Sequence, residues 1–176
     1  MANFDNPHGL QPLMRTLSGG VPMVEEYIKA SGTAYPIYQW DAVALDSNFR
    51  LISSTGITPG STLYSGVSLN YGAASTQTRH LVMTSADAIY QCQDNNDTNG
   101  IAETDLGLNA NLELNAGNAL TKISGHEIDE STINTTATLD VKLLGLLKTP
   151  DNEFGSWCRV EIMFNKHRMN PGVAGV

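Results

Sequence analysis

The densest group of reactive side chains in this chain is His126-Glu127-Ile128-Asp129-Glu130, an imidazole and three carboxylates within five residues. Such a set can ligate a metal or act as an acid–base pair. On a strand, side chains alternate between faces, so His126, Ile128 and Glu130 face one way and Glu127 and Asp129 the other. That separates the groups that would have to cooperate, and no second histidine stands at ligand spacing. The cluster therefore reads as a solvated acidic edge. A metal-assisted hydrolase using His126, Glu127 and Asp129 is the enzyme alternative.

Asn95, Asp97, Asn99 and Gly100 fall where a calcium loop places its first ligands and its turn glycine. The bidentate carboxylate such a loop needs at its last position would be Leu106, which cannot ligate. Asp94, Glu103 and Asp105 are the remaining oxygen donors. Against calcium stands a hairpin-like turn in which Asn and Asp bond their own backbone. Cys92 and Cys158, the only cysteines, read as buried reduced thiols, with a disulfide between them as the alternative; two are too few for a disulfide scaffold. His8, His80 and His167 are scattered, and nothing marks a nucleophile. The chain has no GxGxxG, no GxxxxGK[ST], no GxSxG, no HExxH and no CxxC. Trp40, Tyr64 and Tyr71 would stack on sugar rings if exposed, but strand aromatics of this kind are usually core. The chemistry is thin, and no enzyme, metal or cofactor is expected.

The elements that would position these groups are short strands. Residues 157–164 alternate cleanly: Cys158, Val160, Ile162 and Phe164 on one face, Trp157, Arg159, Glu161 and Met163 on the other. Residues 138–148 are the strongest core run, with Leu139, Val141, Leu143, Leu144, Leu146 and Leu147. Residues 35–45 and 49–53 flank the turn Asp46-Ser47-Asn48 and read as a hairpin. Further strands are expected at 24–30, 63–71, 81–84 and 88–93. Residues 101–114 carry leucines at helical spacing, weakened as a helix by Gly107, Asn109 and Asn111. Residues 124–135 read as a loop or a wandering edge. The pattern predicts an all-β protein, a single β-barrel or β-sandwich domain with at most one or two short helices.

The domain is expected over 23–165. Residues 1–22 hold Pro7, Gly9, Pro12, Gly19, Gly20 and Pro22 among Phe4, Leu10, Leu13, Met14 and Leu17. That composition excludes a long helix and suits an extended arm lying on something apolar. Residues 166–176 form a C-terminal tail. It opens on the basic trio Lys166-His167-Arg168 and closes on Val173-Ala174-Gly175-Val176.

The chain has 176 residues, 41% hydrophobic and only 16% charged, with a formal net charge of −8. That balance argues against a general nucleic-acid binder and against an anionic membrane surface. No window reaches the ~20 apolar residues of a membrane span. The opening residues carry neither a basic region nor an apolar run, so no signal peptide is expected and synthesis is placed in a cytoplasm.

Several stretches, in order along most of the chain, resemble the capsid decoration, cement or head-stabilising proteins of tailed bacteriophages. They are Asn3-Phe4-Asp5-Asn6-Pro7-His8-Gly9-Leu10-Gln11-Pro12-Leu13, Leu63-Tyr64-Ser65-Gly66-Val67-Ser68-Leu69-Asn70-Tyr71-Gly72 and Gly107-Leu108-Asn109-Ala110-Asn111-Leu112. Ser124-Gly125-His126-Glu127-Ile128-Asp129 and Val160-Glu161-Ile162-Met163-Phe164-Asn165-Lys166-His167 complete the set. The resemblance implies a β-barrel-like domain with extended arms, seated outside an icosahedral shell. Its partner would be the major capsid protein, and it would form a homo-oligomer, a trimer or alternatively a dimer. Its location would be the exterior of a virion capsid, after synthesis in the bacterial host. From the residues themselves, Phe4, Leu10, Leu13, Met14 and Leu17 are the candidates for gripping the shell. Lys166, His167, Arg168, Val173 and Val176 are the candidates for touching a neighbour. A tail or head–tail joining subunit and a carbohydrate-binding module are the other readings.

Overall fold

The computed structural model describes residues 3–170, 172, 174 and 175. The described chain is all β, with strands β1 (Gln11–Thr16), β2 (Val24–Lys29), β3 (Ala42–Leu45), β4 (Leu51–Ile52), β5 (Gly66–Ser68), β6 (Thr78–Met83), β7 (Ala88–Gln93), β8 (Asn109–Glu113), β9 (Glu127–Asn134), β10 (Val141–Leu146) and β11 (Arg159–Phe164). Single 3-10 turns at Ser54–Gly56 and Glu103–Asp105 are the helical elements. Among the described residues no helix is long and apolar enough to cross a membrane.

Two bodies are stacked. Six strands form an antiparallel sheet in the order β1-β7-β11-β10-β8-β9, and the other five close a barrel in the order β2-β4-β3-β5-β6. Among the described strands only the β2–β4 pair is parallel. The barrel is small, and its wall serves two cores through the strand's two-residue period. On β3, Ala42 and Ala44 belong to the core shared with the sheet, whereas Val43 and Leu45 pack inside the barrel with Ile37, Leu51, Val82 and Tyr27. Small side chains on the shared face let the barrel wall approach the sheet closely.

The sheet contributes Tyr90 and Cys92 from β7, Ala110 and Leu112 from β8, Val141 and Leu143 from β10, and Val160, Ile162 and Phe164 from β11. Phe164 stacks on Tyr64 at 4.9 Å and meets Tyr90 edge-on at 5.5 Å. Gly66 sits where β5 passes from β3 to β6, pairing with Val43 while its neighbour Val67 pairs with Met83. Its φ of +142° and the Met83 carbonyl 1.9 Å from where a Cβ would stand admit glycine alone.

The structure alters several expectations. Residues 11–16, expected within an extended arm lying on something apolar, are a strand of the sheet. They form β1, paired with β7 through Gln11–Gln91 and Pro12–Tyr90. The segment ahead is also docked: the Asn3 side chain bonds the backbone of Glu153 and Ser156, and Gln93 bonds Asn6 N–H and Phe4 C=O. The described tail residues likewise lie on the body, with Gly175 N–H donating to Thr135 C=O at 2.9 Å. Residues 101–114 hold a 3-10 turn and then strand β8, not a helix, because β10 and β9 flank it on both sides. Residues 124–135 carry β9, the longest strand. The strand expected across 35–45 is confined to Ala42–Leu45, after Trp40 at φ +71° turns the chain.

Candidate functional site

Three polar centres sit inside this frame. The first gathers Asp41, just ahead of β3, with Ser124 and His126, just ahead of β9; all three are buried. His126 Nδ1 accepts the Ala42 N–H at 3.2 Å, which places the ring proton on Nε2, 3.3 Å from Asp41 Oδ1. Asp41 also accepts the Tyr38 N–H at 2.8 Å and lies near the Ser124 hydroxyl, and Ser124 Oγ accepts the His126 N–H at 3.1 Å. The residue types of a hydrolytic triad meet here in another arrangement. The Nδ1 lone pair is taken by the Ala42 N–H and so cannot draw a proton from a serine, while Nε2 lies 3.3 Å from Asp41 Oδ1 without a well-formed hydrogen bond. Burial holds His126 below the ordinary histidine range and Asp41 above the ordinary carboxylate range. The arrangement pins the barrel to the β9 end of the sheet.

The second centre is at one end of the barrel interior. Lys29 is fully buried and its Nζ donates to Ala73 C=O at 2.8 Å and Thr76 C=O at 3.2 Å. His80 lies between Ser68 Oγ and Thr78 Oγ1, each 2.9 Å away. Burial, and then the nearby Lys29 cation, pushes His80 down to about 4. An unfolded histidine titrates near 6.5. Between pH 6.5 and 4 the unfolded chain therefore takes a proton that the folded chain refuses, and stability falls with the pH. His80→Gln is expected to remove on the order of 2 kcal/mol of the stability difference between pH 7 and pH 4.5. Urea unfolding at both values checks this, and an undiminished difference would clear His80 as its source.

The third centre is the acidic group on β9. His126, Glu127 and Glu130 are not solvated, contrary to the edge reading; each is buried. β9 does end the sheet, but residues 94–99 fold over it. The Glu130 carboxylate accepts Thr98 N–H, Thr98 Oγ1 and Asn99 N–H. Asn95 gives its amide hydrogen to Glu113, and Asp105 caps the 3-10 turn through the Ala102 N–H. These oxygens are engaged by the loop itself, and among the described residues no three His, Cys, Asp or Glu side chains converge as a metal site. Cys92 and Cys158 are both free and buried, and burial pushes the Cys158 thiol up to about 12.

The residues expected to contact neighbours divide sharply. Leu10 is fully buried, its N–H on Trp40 C=O, and so belongs to the core rather than to a gripping surface; Leu13 is half-buried. Phe4, Met14 and Leu17 are exposed. Lys166 is buried, donating to Gly60 C=O at 2.8 Å beside Asp140. His167 is buried against Phe164. Both are held in because residues 166–168 run alongside Tyr64, bonded on either side of it. Arg168 is exposed, with its guanidinium 5.2 Å from the Phe49 ring centre. Val173 and Val176 lie outside the described residues. Of the aromatic candidates, Tyr64 is buried, while Trp40 and Tyr71 are half-buried, Tyr71 under Lys122.

Sequence reading missed the apolar residues that follow Leu17. Val21 is 82% exposed and Met23 56%, on the β1–β2 connection, and Met169 is 80% exposed. Met23 and Met169 line one groove of about 300 Å³ with Tyr27, Thr84 and Arg168. Proline and glycine around these residues masked any periodicity that would have marked them as one surface. Set against known protein families, curated proteins and solved structures, the chain matches no family model, no curated protein and no solved structure.

Proposed function

We propose that this chain is a structural virion protein, a capsid decoration or cement protein. In this reading it binds the outer surface of a bacteriophage head and stabilises contacts between major capsid protein subunits. The observation that carries the reading is the run of exposed apolar side chains from Met14 in β1 through Leu17, Val21 and Met23 on the β1–β2 connection, continued across the groove by Met169. Side chains of that size left in water favour contact with another surface. The strand that leads into them is built against ladder addition. Pro12 lacks an N–H and Met14 at φ +56° breaks the register, so the contact is made by side chains. The resemblance of the opening residues and of 63–72 to cement proteins supports the same assignment. The buried His, Asp and Ser groups, each absorbed into structure, fit a protein that works by contact, and a lattice multiplies weak contacts into avidity.

The test uses purified heads stripped of this protein. Leu17→Asp with Val21→Asp is expected to weaken head binding about 100-fold or more, equivalent to roughly 3 kcal/mol, with an unchanged thermal midpoint because both side chains are already in water. Saturation of the heads at wild-type concentrations would overturn the assignment. Copy number by quantitative gel separates head from tail: hundreds per particle mark a shell protein, a single ring's worth a tail or joining subunit. A trimer is expected by sedimentation, with a dimer as the other closed assembly.

A further inference from the structure

The loop after β7 is fastened to the sheet edge mainly by side chains. Asn95 N–H donates to Ile128 C=O at 3.0 Å and its Oδ1 accepts the Glu130 N–H at 3.3 Å. The Glu130 carboxylate returns the grip, holding Asn99 N–H and Thr98 Oγ1 at 2.9 Å and Thr98 N–H as well. Together these contacts cover the Ile128–Glu130 part of the β9 edge.

At the root of the loop lies the Asp94 side chain. It has no exposed surface, and neither carboxyl oxygen has a well-formed hydrogen bond; the Ile101 N–H lies nearby. The charges acting on it are Glu130 and Glu127 of β9, both acidic. Cys92 on β7 and Cys158 ahead of β11 face it as neutral thiols. Glu127 itself faces Asp5 of the N-terminal segment, Glu113 of β8 and Asp97 of the loop. A buried carboxylate with only two poorly placed backbone N–H groups near it, those of Ile101 and of Asp94 itself, and facing other carboxylates, is disfavoured, whereas a neutral carboxyl is tolerated.

We propose that residues 94–100 are a latch over the edge of β9, shut while the Asp94 carboxyl keeps its proton and loosened when it ionises. Ionisation sets a new negative charge against Glu130, the residue that holds Thr98 and Asn99. Release frees the Ile128 carbonyl and the Glu130 amide, one acceptor and one donor on a sheet edge. Burial first, and Glu130 second, raise Asp94 to about 7, and burial raises Glu127 likewise to about 7. With the closed-state value raised, closure is favoured below neutrality and lost as pH rises through about 7.

Amide hydrogen exchange of the intact protein tests the latch. Protection of Thr98 and Asn99, corrected for the base-catalysed intrinsic rate, is expected to fall about tenfold between pH 6 and pH 8.5, the change that one pK unit represents. In Asp94→Asn the fall should be much smaller, leaving only what Glu127 contributes through Asp97. Equal falls in both proteins, or no fall in the wild type, overturn the latch. If Asp94→Asn does not fold, the carboxyl carbon-13 shift of Asp94 in the wild type decides. Titration in step with exchange supports the latch; an ionised carboxyl at pH 6 refutes it.

Discussion

A chain lacking residues 1–16 is expected to lose cooperative folding, with no sigmoidal urea transition and with the near-ultraviolet signal of its aromatic core collapsed. The deletion removes more than an appendage. Leu10 leaves the core shared by barrel and sheet, where burial of such a side chain contributes about 1.5–3 kcal/mol. Strand β1 leaves the sheet with its bonds to β7, so Gln91 and Tyr90 lose their partners on that flank and keep only those on β11. The docking of Asn3 and Asn6 on Glu153, Ser156 and Gln93 goes too. The sum is comparable to the roughly 5–15 kcal/mol by which a domain is stable at all. Deleting residues 1–5 alone should cost only about 1–2 kcal/mol, the worth of a few partly exposed hydrogen bonds. A folded 17–176 fragment with a near wild-type urea midpoint would show that β1 is not integral to the sheet. Truncation is therefore a poor test of binding, and side-chain changes on the β1–β2 connection are the clean one.

Gly66→Ala is expected to be the most damaging single substitution, costing more than about 4 kcal/mol. Its Cβ would stand 1.9 Å from the Met83 carbonyl oxygen and 2.9 Å from the carbonyl carbon. Those atoms are backbone of β6 and cannot swing aside. The φ of +142° adds strain for any L side chain. Gly145 is the control: on β10, at the register shift against β11, a Cβ there meets nothing within 4 Å. Gly145→Ala should change stability by less than about 1 kcal/mol. Similar urea midpoints for the two variants would show that the β5–β6 approach is looser than described.

What the sequence disclosed was whatever is decided within a strand. The alternation over 157–164 placed Cys158, Val160, Ile162 and Phe164 inside, as observed. Ala88–Gln93 is a strand with the predicted bounds, and the turn at residues 46–48 does join an antiparallel pair. The all-β class, as a barrel or a sandwich, followed from these. What stayed hidden was decided between distant segments. Leu10 looks like an arm residue until its N–H bonds Trp40 and Ser124 packs against the neighbouring Gly9, and Lys166 looks like a surface cation until Gly60 and Asp140 claim it. Leucines in residues 101–114 fit a helical spacing, yet neighbours on both sides draw Asn109–Glu113 into the sheet, a tertiary effect that outweighs a weak local preference. The His126 group was legible as a cluster, but not its burial, because the covering loop lies more than twenty residues upstream.

Strand β11 sits between β7 and β10, in the middle of the larger sheet, yet of the described strands it is the last to emerge from the ribosome. Until it arrives, β7 and β10 each keep one flank bare, and Tyr64 and Tyr90 lack the phenyl ring they enclose. Assembly of that layer must wait until residues 159–164 are made, so products terminated ahead of β11 carry two sticky flanks and are the species most prone to aggregate.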